Sequence, residues 1–144
     1  MITNSLSAAA ALFRTRHRVV LLGGELRNNS LDLIGPLAEK NLADFRIEWM
    51  ISGCDAASAD AGFCTADQNL SRLKQHLVGV AAHTAIITES AKFSRTPENC
   101  FAAPYQVDLL VTDTGLSSAD ASALRGSGMR LVMRDVSRGS TTWN

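Results

Sequence analysis

HRVVLLGGELRNNSLDLIGPLAEKNL, His17 to Leu42, decides the fold class. A largely apolar run, Arg18 to Leu22, meets Gly23-Gly24. Arg27 follows, then a polar loop, and Pro36 opens a helix running to about Asp44. Pro suits the first helical turn, where its missing N–H costs nothing. A short apolar run ended by glycines reads as a buried strand and a tight turn. The same alternation continues outward. Ser5 to Arg14 is alanine-rich and reads as a helix capped by Asn4 or Ser5. Ile47 to Ile51, Ala85 to Thr88, Val107 to Thr112 and Met129 to Met133 read as strands. Helices are expected over about Gln68 to Ala82, capped by Asp67, and from Ser117 or Ser118 to Gly126 or Gly128. CDAASADAGFCTAD, 54–67, is small and turn-rich and reads as a loop. Strand alternating with helix gives an α/β fold with a largely parallel sheet and flanking helices. Residues 1–136 are expected to form one domain, and 137–144 are expected to be a loose tail.

At 144 residues the chain suits one domain with a sizeable core. Fourteen basic and fourteen acidic residues balance, which argues against a broad electrostatic nucleic-acid surface. Cys54, Cys64 and Cys100 show neither CxxC spacing nor a paired framework, so a reducing cytoplasm is expected. No histidine has ligand spacing beside them, so no metal is expected. No apolar run approaches membrane-span length. The start, MITNSLSAAAALFRTR, has no cationic segment before its apolar part and does not read as a signal peptide.

Ligands of such sheets bind at the carboxyl ends of strands. Gly23 and Gly24 there either let a ligand approach exposed N–H groups or make a turn. Arg27 is either an anion clamp or a solvated arginine. Asp55, after Gly53 and Cys54, either accepts from sugar hydroxyls or acts as a general base, or bonds its own backbone in an Asx-turn. Glu89 and Lys92 either hold one ligand or pair with each other. Asn4 and Ser5 either favour an anion at a helix start or simply cap it. His17, His76 and His83 neighbour no nucleophile and carboxylate in sequence. No Walker loop or nucleophile elbow is present, and no cofactor is expected.

TNSL at 3–6, VVLLGGELR at 19–27, SLDLIGPLAEKNL at 30–42, SGCD at 52–55, GFCTAD at 62–67, ESAKF at 89–93 and VDLLVTD at 107–113 together resemble the C-terminal sensor domain of DeoR-family bacterial repressors. The resemblance covers Ile2 to about Arg134. It implies a sheet like that of ribose-5-phosphate isomerase and CoA-transferases. It also implies a phosphorylated-sugar effector, assembly into dimers or larger oligomers, and DNA contact only through a helix-turn-helix domain that this sequence lacks. Family sensor domains open with a strand and a Gly-Thr-Thr loop. This sequence starts after that loop, so residues 1–136 resemble a partial sugar-phosphate sensor domain missing its first strand. Such a chain is expected to oligomerise or to be less stable than an intact sensor. Glu89 stands where the family usually has Asp, and the acidic residue usual in the helix after GFCTAD is replaced near Asn69-Leu70.

The resemblance places the ligand site on Asn4, Ser5, Gly23, Gly24, Arg27, Gly53, Asp55, Glu89 and Lys92. Gly23-Gly24, Arg27 and Lys92 would face phosphate. Asp55 and Glu89 would accept from hydroxyls, and Asn4 would orient the ligand. The expected function is effector binding without catalysis. The alternatives are a sugar-phosphate isomerase using Asp55 or Glu89 as base, or a nonfunctional remnant. The isomerase reading lacks the lysine- and glycine-rich stretch such enzymes carry after their acidic pair; here only Asp60 follows Asp55.

Overall fold

The computed structural model describes residues 1–136; the tail expected over 137–144 lies outside them. The chain opens with β1 (Ile2–Thr3), α1 (Leu6–Leu12) and β2 (Val20–Leu21). Next come the hairpin strands β3 (Glu25–Arg27) and β4 (Asp32–Ile34), then α2 (Pro36–Leu42). β5 (Ile47–Ser52), β6 (Ala56–Ser58), β7 (Gly62–Thr65) and α3 (Gln68–Val80) follow. The chain then runs through β8 (Ala81–Ile87), β9 (Asn99–Ala102), β10 (Leu109–Asp113), α4 (Ser118–Gly126) and β11 (Arg130–Arg134). Short 3-10 turns occupy Ser90–Ser94 and Pro104–Gln106.

The main sheet has the order β11-β10-β8-β5 and is parallel throughout. The α/β class and the parallel sheet agree with the sequence reading. Three smaller sheets were not foreseen as such. β1 and β2 form a separate parallel pair. β3 and β4 form an antiparallel hairpin that folds back on α1, with the Leu33 N–H donating to the Asn4 carbonyl at 2.7 Å. β6, β7 and β9 form an antiparallel sheet.

That last sheet corrects the loop expected over 54–67. Its strands are built from small residues, and Ala56, Ala57, Phe63, Cys64 and Thr65 are all buried. Gly62 explains the hairpin. Its φ is +91°, and a Cβ there would stand 2.1 Å from the Ala102 carbonyl oxygen. Only glycine allows β9 to approach so closely. The expectation of unpaired cysteines is also corrected. Cys64 and Cys100 are register partners across β7 and β9, and a disulfide joins them. Thirty-six residues separate them, so the pairing is set by the antiparallel register and not by local spacing. The compartment drawn from free thiols loses that support. Cys54 alone is free, and it is buried.

Two apolar clusters form the core. The first joins Met50, Phe63, Ile86, Phe101, Leu110, Leu124 and Met129 between the main sheet, α4 and the small antiparallel sheet. The second joins Leu22, Ile34, Ala38, Leu42, Leu70 and Leu73. Leu77 touches both, so α3 is the wedge between them. Its N-cap is Asp67, whose carboxylate accepts from the Leu70 N–H at 2.8 Å. Leu70, Leu73 and Leu77 recur at helical spacing and make its inward stripe. The buried pair, Leu70 and Leu73, each contribute about 1.5–3 kcal/mol by leaving water.

Candidate functional site

The parallel strands place their carboxyl ends on one side: Ser52 of β5, Ile87 of β8, Asp113 of β10 and Arg134 of β11. The chain leaving β5 is Gly53-Cys54-Asp55. Asp55 is tied across the β6–β7 hairpin, where one carboxylate oxygen accepts from the Thr65 hydroxyl at 2.6 Å and the Ala66 N–H at 3.1 Å. It therefore bonds a distant strand and makes no local Asx-turn. Burial pushes the Asp55 carboxyl up. The Thr65 hydroxyl, the Ala66 amide and the charges of Lys74 and Lys92 outweigh that, and its pKa ends below the ordinary carboxylate value. Cys54 donates to the Thr88 hydroxyl at 3.3 Å, and burial raises its thiol pKa.

Lys74, a residue that the sequence reading passed over, is the centre of this cluster. It stands on α3 between Leu73 and Leu77, so a lysine occupies the helix's apolar stripe. That position was the available signal. Its ammonium donates to the Gly53 carbonyl at 2.9 Å and lies 4.7 Å from the centre of the Phe101 ring. Burial pushes its pKa below the ordinary lysine value, Asp55, Cys54 and Asp32 oppose that shift, and Arg27 adds to it. Lys74 thus links the Gly53–Asp55 loop to the β3–β4 hairpin electrostatically.

Arg27 is drawn inward and is no solvated arginine. It pairs with Asp32 at 3.4 Å and Asp67 at 3.5 Å, and its side chain is 16% exposed. Its Nη1 is buried without a hydrogen-bond partner. Gly23 donates its N–H to the Asn41 side-chain oxygen at 3.2 Å. Gly24 has φ +147°, and a Cβ there would stand 2.4 Å from the Ile34 carbonyl oxygen. The glycine pair therefore serves the close packing of β4 and α2. Asn4 donates to the Leu33 carbonyl at 3.1 Å, and Ser5 caps α1 by accepting from the Ala8 N–H at 3.2 Å. Both residues make structural bonds at the helix start.

Glu89 and Lys92 follow β8 and form no ion pair with each other among the described residues. Both line a hollow of about 540 Å³ with Cys54, Thr88, Thr112 and Arg134. Thr112 is buried there, and its hydroxyl has no partner. Asp55 lines a separate, smaller space of about 170 Å³ with Thr65, Arg95 and Glu98. Asn4 lines a third, of about 370 Å³, between β1 and β5. Lys74 and Lys92 thus act electrostatically on Asp55, and Arg27 acts on Lys74. Yet Glu89 and Lys92 line one hollow, Asp55 a second and Asn4 a third, and Arg27, Ser5, Gly23 and Gly24 line none of the three. Among the described residues no group of three or more His, Cys, Asp or Glu could hold a metal ion.

The model of the DeoR C-terminal sensor domain matches residues 1–114. The chain belongs to that family. It is similar to the HTH-type transcriptional regulator GlpR of Haloferax volcanii, 28% identical over 91% of this chain and 51% of that protein. It is similar also to the HTH-type transcriptional repressor CsqR of Escherichia coli, 27% identical over 92% of this chain and 51% of that protein. The glycerol-3-phosphate regulon repressor of Escherichia coli is 26% identical over 78% of this chain and 45% of its own length. The chain spans about half the length of the curated relatives it matches. This DeoR-family chain thus corresponds to the family's sensor domain, and these relatives are named transcriptional regulators or repressors. No helix among the described residues is long and apolar enough to cross a membrane.

Proposed function

We propose that this sensor domain binds a phosphorylated sugar or a related anionic polyol where the carboxyl ends of β5 and β8 meet α3, and that it catalyses nothing. The observation that carries the reading is the charge arrangement. Lys74 and Lys92 both act on Asp55, two cations around one carboxylate at strand ends where α/β sheets take ligands. Lys92 and Lys74 supply positive charge for phosphate, and Arg27 steadies that side through its hairpin. Asp55 and Glu89 accept from hydroxyls and Gly53 allows close approach, while Asn4, Ser5, Gly23 and Gly24 hold the β1–α1 and β3–β4 framework in place and do not touch the ligand.

Sensing fits better than isomerisation on physical grounds. A general base works best with a pKa near the working pH, and Asp55 is held below the ordinary carboxylate range. Asp60 is exposed between β6 and β7, at the hairpin tip and away from the strand ends. Sensing needs only different ligand affinities in two states. In a full regulator those states are quaternary arrangements of a homo-oligomer that carries DNA-binding domains, working in the cytoplasm.

A thermal-shift panel tests the reading. It compares ribose 5-phosphate, fructose 1-phosphate and glycerol 3-phosphate with their unphosphorylated parents. Glycerol 3-phosphate is included because one relative's regulon bears its name. At a hundredfold excess over Kd a true effector stabilises by about 2.7 kcal/mol. A rise with a phosphorylated compound, absent in Lys92→Ala, is expected. Equal responses to phosphorylated and parent compounds would count against the phosphate assignment, and turnover of ribose 5-phosphate in a coupled assay would overturn the non-catalytic one.

A further inference from the structure

A covalent link adjoins the bonds that hold Asp55. Cys64 on β7 and Cys100 on β9 are joined by a disulfide, and the next pair in that register is Thr65 and Asn99. The Cys64 carbonyl accepts from the Asp55 N–H at 2.9 Å. The Thr65 hydroxyl and the Ala66 N–H donate to the Asp55 carboxylate. Asn99 fixes both donors, since its side-chain amide donates to the Thr65 carbonyl at 3.3 Å and the Ala66 carbonyl at 3.1 Å. β9 is bound in turn to α3. The Ser71 hydroxyl donates to the Asn99 carbonyl at 3.1 Å, and the Gln75 side chain donates to the Cys100 carbonyl at 2.8 Å. The disulfide thus pins the Asp55 loop towards the helix that carries Lys74.

The ladder at that junction is short. β7 and β9 share three register pairs, and their register shifts between Phe63 and Cys64. β9 has β7 as its one strand partner and ends the small sheet. The link is also within reach of a small reagent. Cys64 is fully buried, whereas Cys100 is half-buried and lines a hollow of about 340 Å³ with Gln75 and Gln106. In a reducing cytoplasm a persistent disulfide is rare, and the pairs that do form there are mostly transient or redox-sensing.

We propose that Cys64 and Cys100 form a thiol–disulfide switch that sets how firmly Asp55 is held. The co-reactant is a dithiol reductant. Its thiolate attacks the Cys100 sulfur from the hollow, the bond between the two protein sulfurs breaks, and Cys64 leaves with the electron pair and takes a proton. The reductant's second thiolate then attacks the mixed disulfide at the reductant's own sulfur, and Cys100 leaves and takes a proton in turn. The protein gains two electrons and two protons, and the dithiol becomes a disulfide. Loss of the cross-link frees β7 from β9 and loosens Thr65, Ala66 and Asp55 together. Cys54 takes no part, because it is buried and bonded to Thr88. The effect on ligand rests on the reading of Asp55 as an effector contact: the oxidised domain binds effector more tightly than the reduced one.

The test uses the full chain, oxidised and reduced with dithiothreitol, and follows amide exchange without ligand. Reduction should raise the alkylatable thiols from one to three. It should speed exchange at Asp55, 62–66 and 99–102 by about tenfold and leave α4 unchanged. Cys64→Ser combined with Cys100→Ser should exchange like the reduced chain and ignore dithiothreitol. Glutathione buffers of cytoplasmic composition should convert the pair in both directions. A pair that stays oxidised in those buffers overturns the switch. So does exchange at Asp55 that reduction leaves unchanged, or speeds no more than at α4. Ribose 5-phosphate and glycerol 3-phosphate then separate the switch from the effector reading. Whichever binds should bind about tenfold more weakly after reduction, and equal binding overturns the coupling. If neither binds either form while exchange still responds to reduction, the switch stands and the effector reading fails.

Discussion

Asp113 shows how one residue sets the end of a strand. Its carboxylate accepts from the Ser90 hydroxyl at 2.6 Å, the Ser90 N–H at 2.8 Å and the Gly115 N–H at 2.8 Å. Those donors lower its pKa from 3.8 to about 2. The folded state favours the ionised form, so the contribution is full above 3.8 and fades as pH falls towards about 2. Asp113→Asn should therefore lower the melting temperature at neutral pH and make little difference near pH 2, which a melting series across that range would check. Lys74 gives a prediction of another kind. A cation partly withdrawn from water opposes that withdrawal, so Lys74→Met should change stability by no more than about 1.5 kcal/mol. It should nonetheless weaken binding of an anionic effector tenfold or more, a loss of about 1.4 kcal/mol. Titration calorimetry beside a denaturant melt separates the two effects. At this scale the sequence was legible in part. Asp55, Lys92 and Glu89 stood out because charged residues just past apolar runs mark strand ends. Lys74 did not, because it is embedded in a helical stripe and meets Gly53 only after folding. Gly23 and Gly24 carried an ambiguous signal, since close packing and ligand approach both require glycine.

The parallel strands and the helices were readable as elements because each has a continuous apolar run or a 3.6-residue period. The antiparallel sheet was not. Ala56, Ala57 and Ser58 have small side chains and weak strand preference, and β9 pairs with residues some 35 positions earlier. Only tertiary burial makes them strands. Gly62→Ala tests this. A Cβ at φ +91° and 2.1 Å from a carbonyl oxygen should cost about 1–3 kcal/mol. The hairpin that holds Thr65 and Ala66 against Asp55 should loosen with it. Faster amide exchange in 56–66 and weaker ligand binding, with α4 unaffected, are the expected outcomes. Loss of stability spread evenly across the chain would contradict a local role for that hairpin.

At the scale of the molecule, the split sheet and its uncovered face dominate. Trp49, Ile51 and Ile87 on one surface favour association. Sedimentation should show concentration-dependent self-association. Ile51→Lys combined with Ile87→Lys should reduce it and alter stability by only about 0.5 kcal/mol. A stable, strictly monomeric chain at high concentration would contradict this. Family membership was readable because seven short segments kept their order and spacing over most of the chain. The division into four sheets was not, because sequence patterns report single strands and not which edges meet.

The central claim is that the carboxyl ends of neighbouring parallel strands gather around Lys74 to hold an anionic carbohydrate. Titrating an isotope-labelled chain with ribose 5-phosphate and glycerol 3-phosphate, followed by backbone amide NMR, tests it most directly. The account predicts saturable shifts concentrated at Gly53–Asp55, Lys74 and Glu89–Lys92, with β11 and α4 silent. Shifts confined to other surfaces, or none from either phosphate at millimolar concentration, would contradict it.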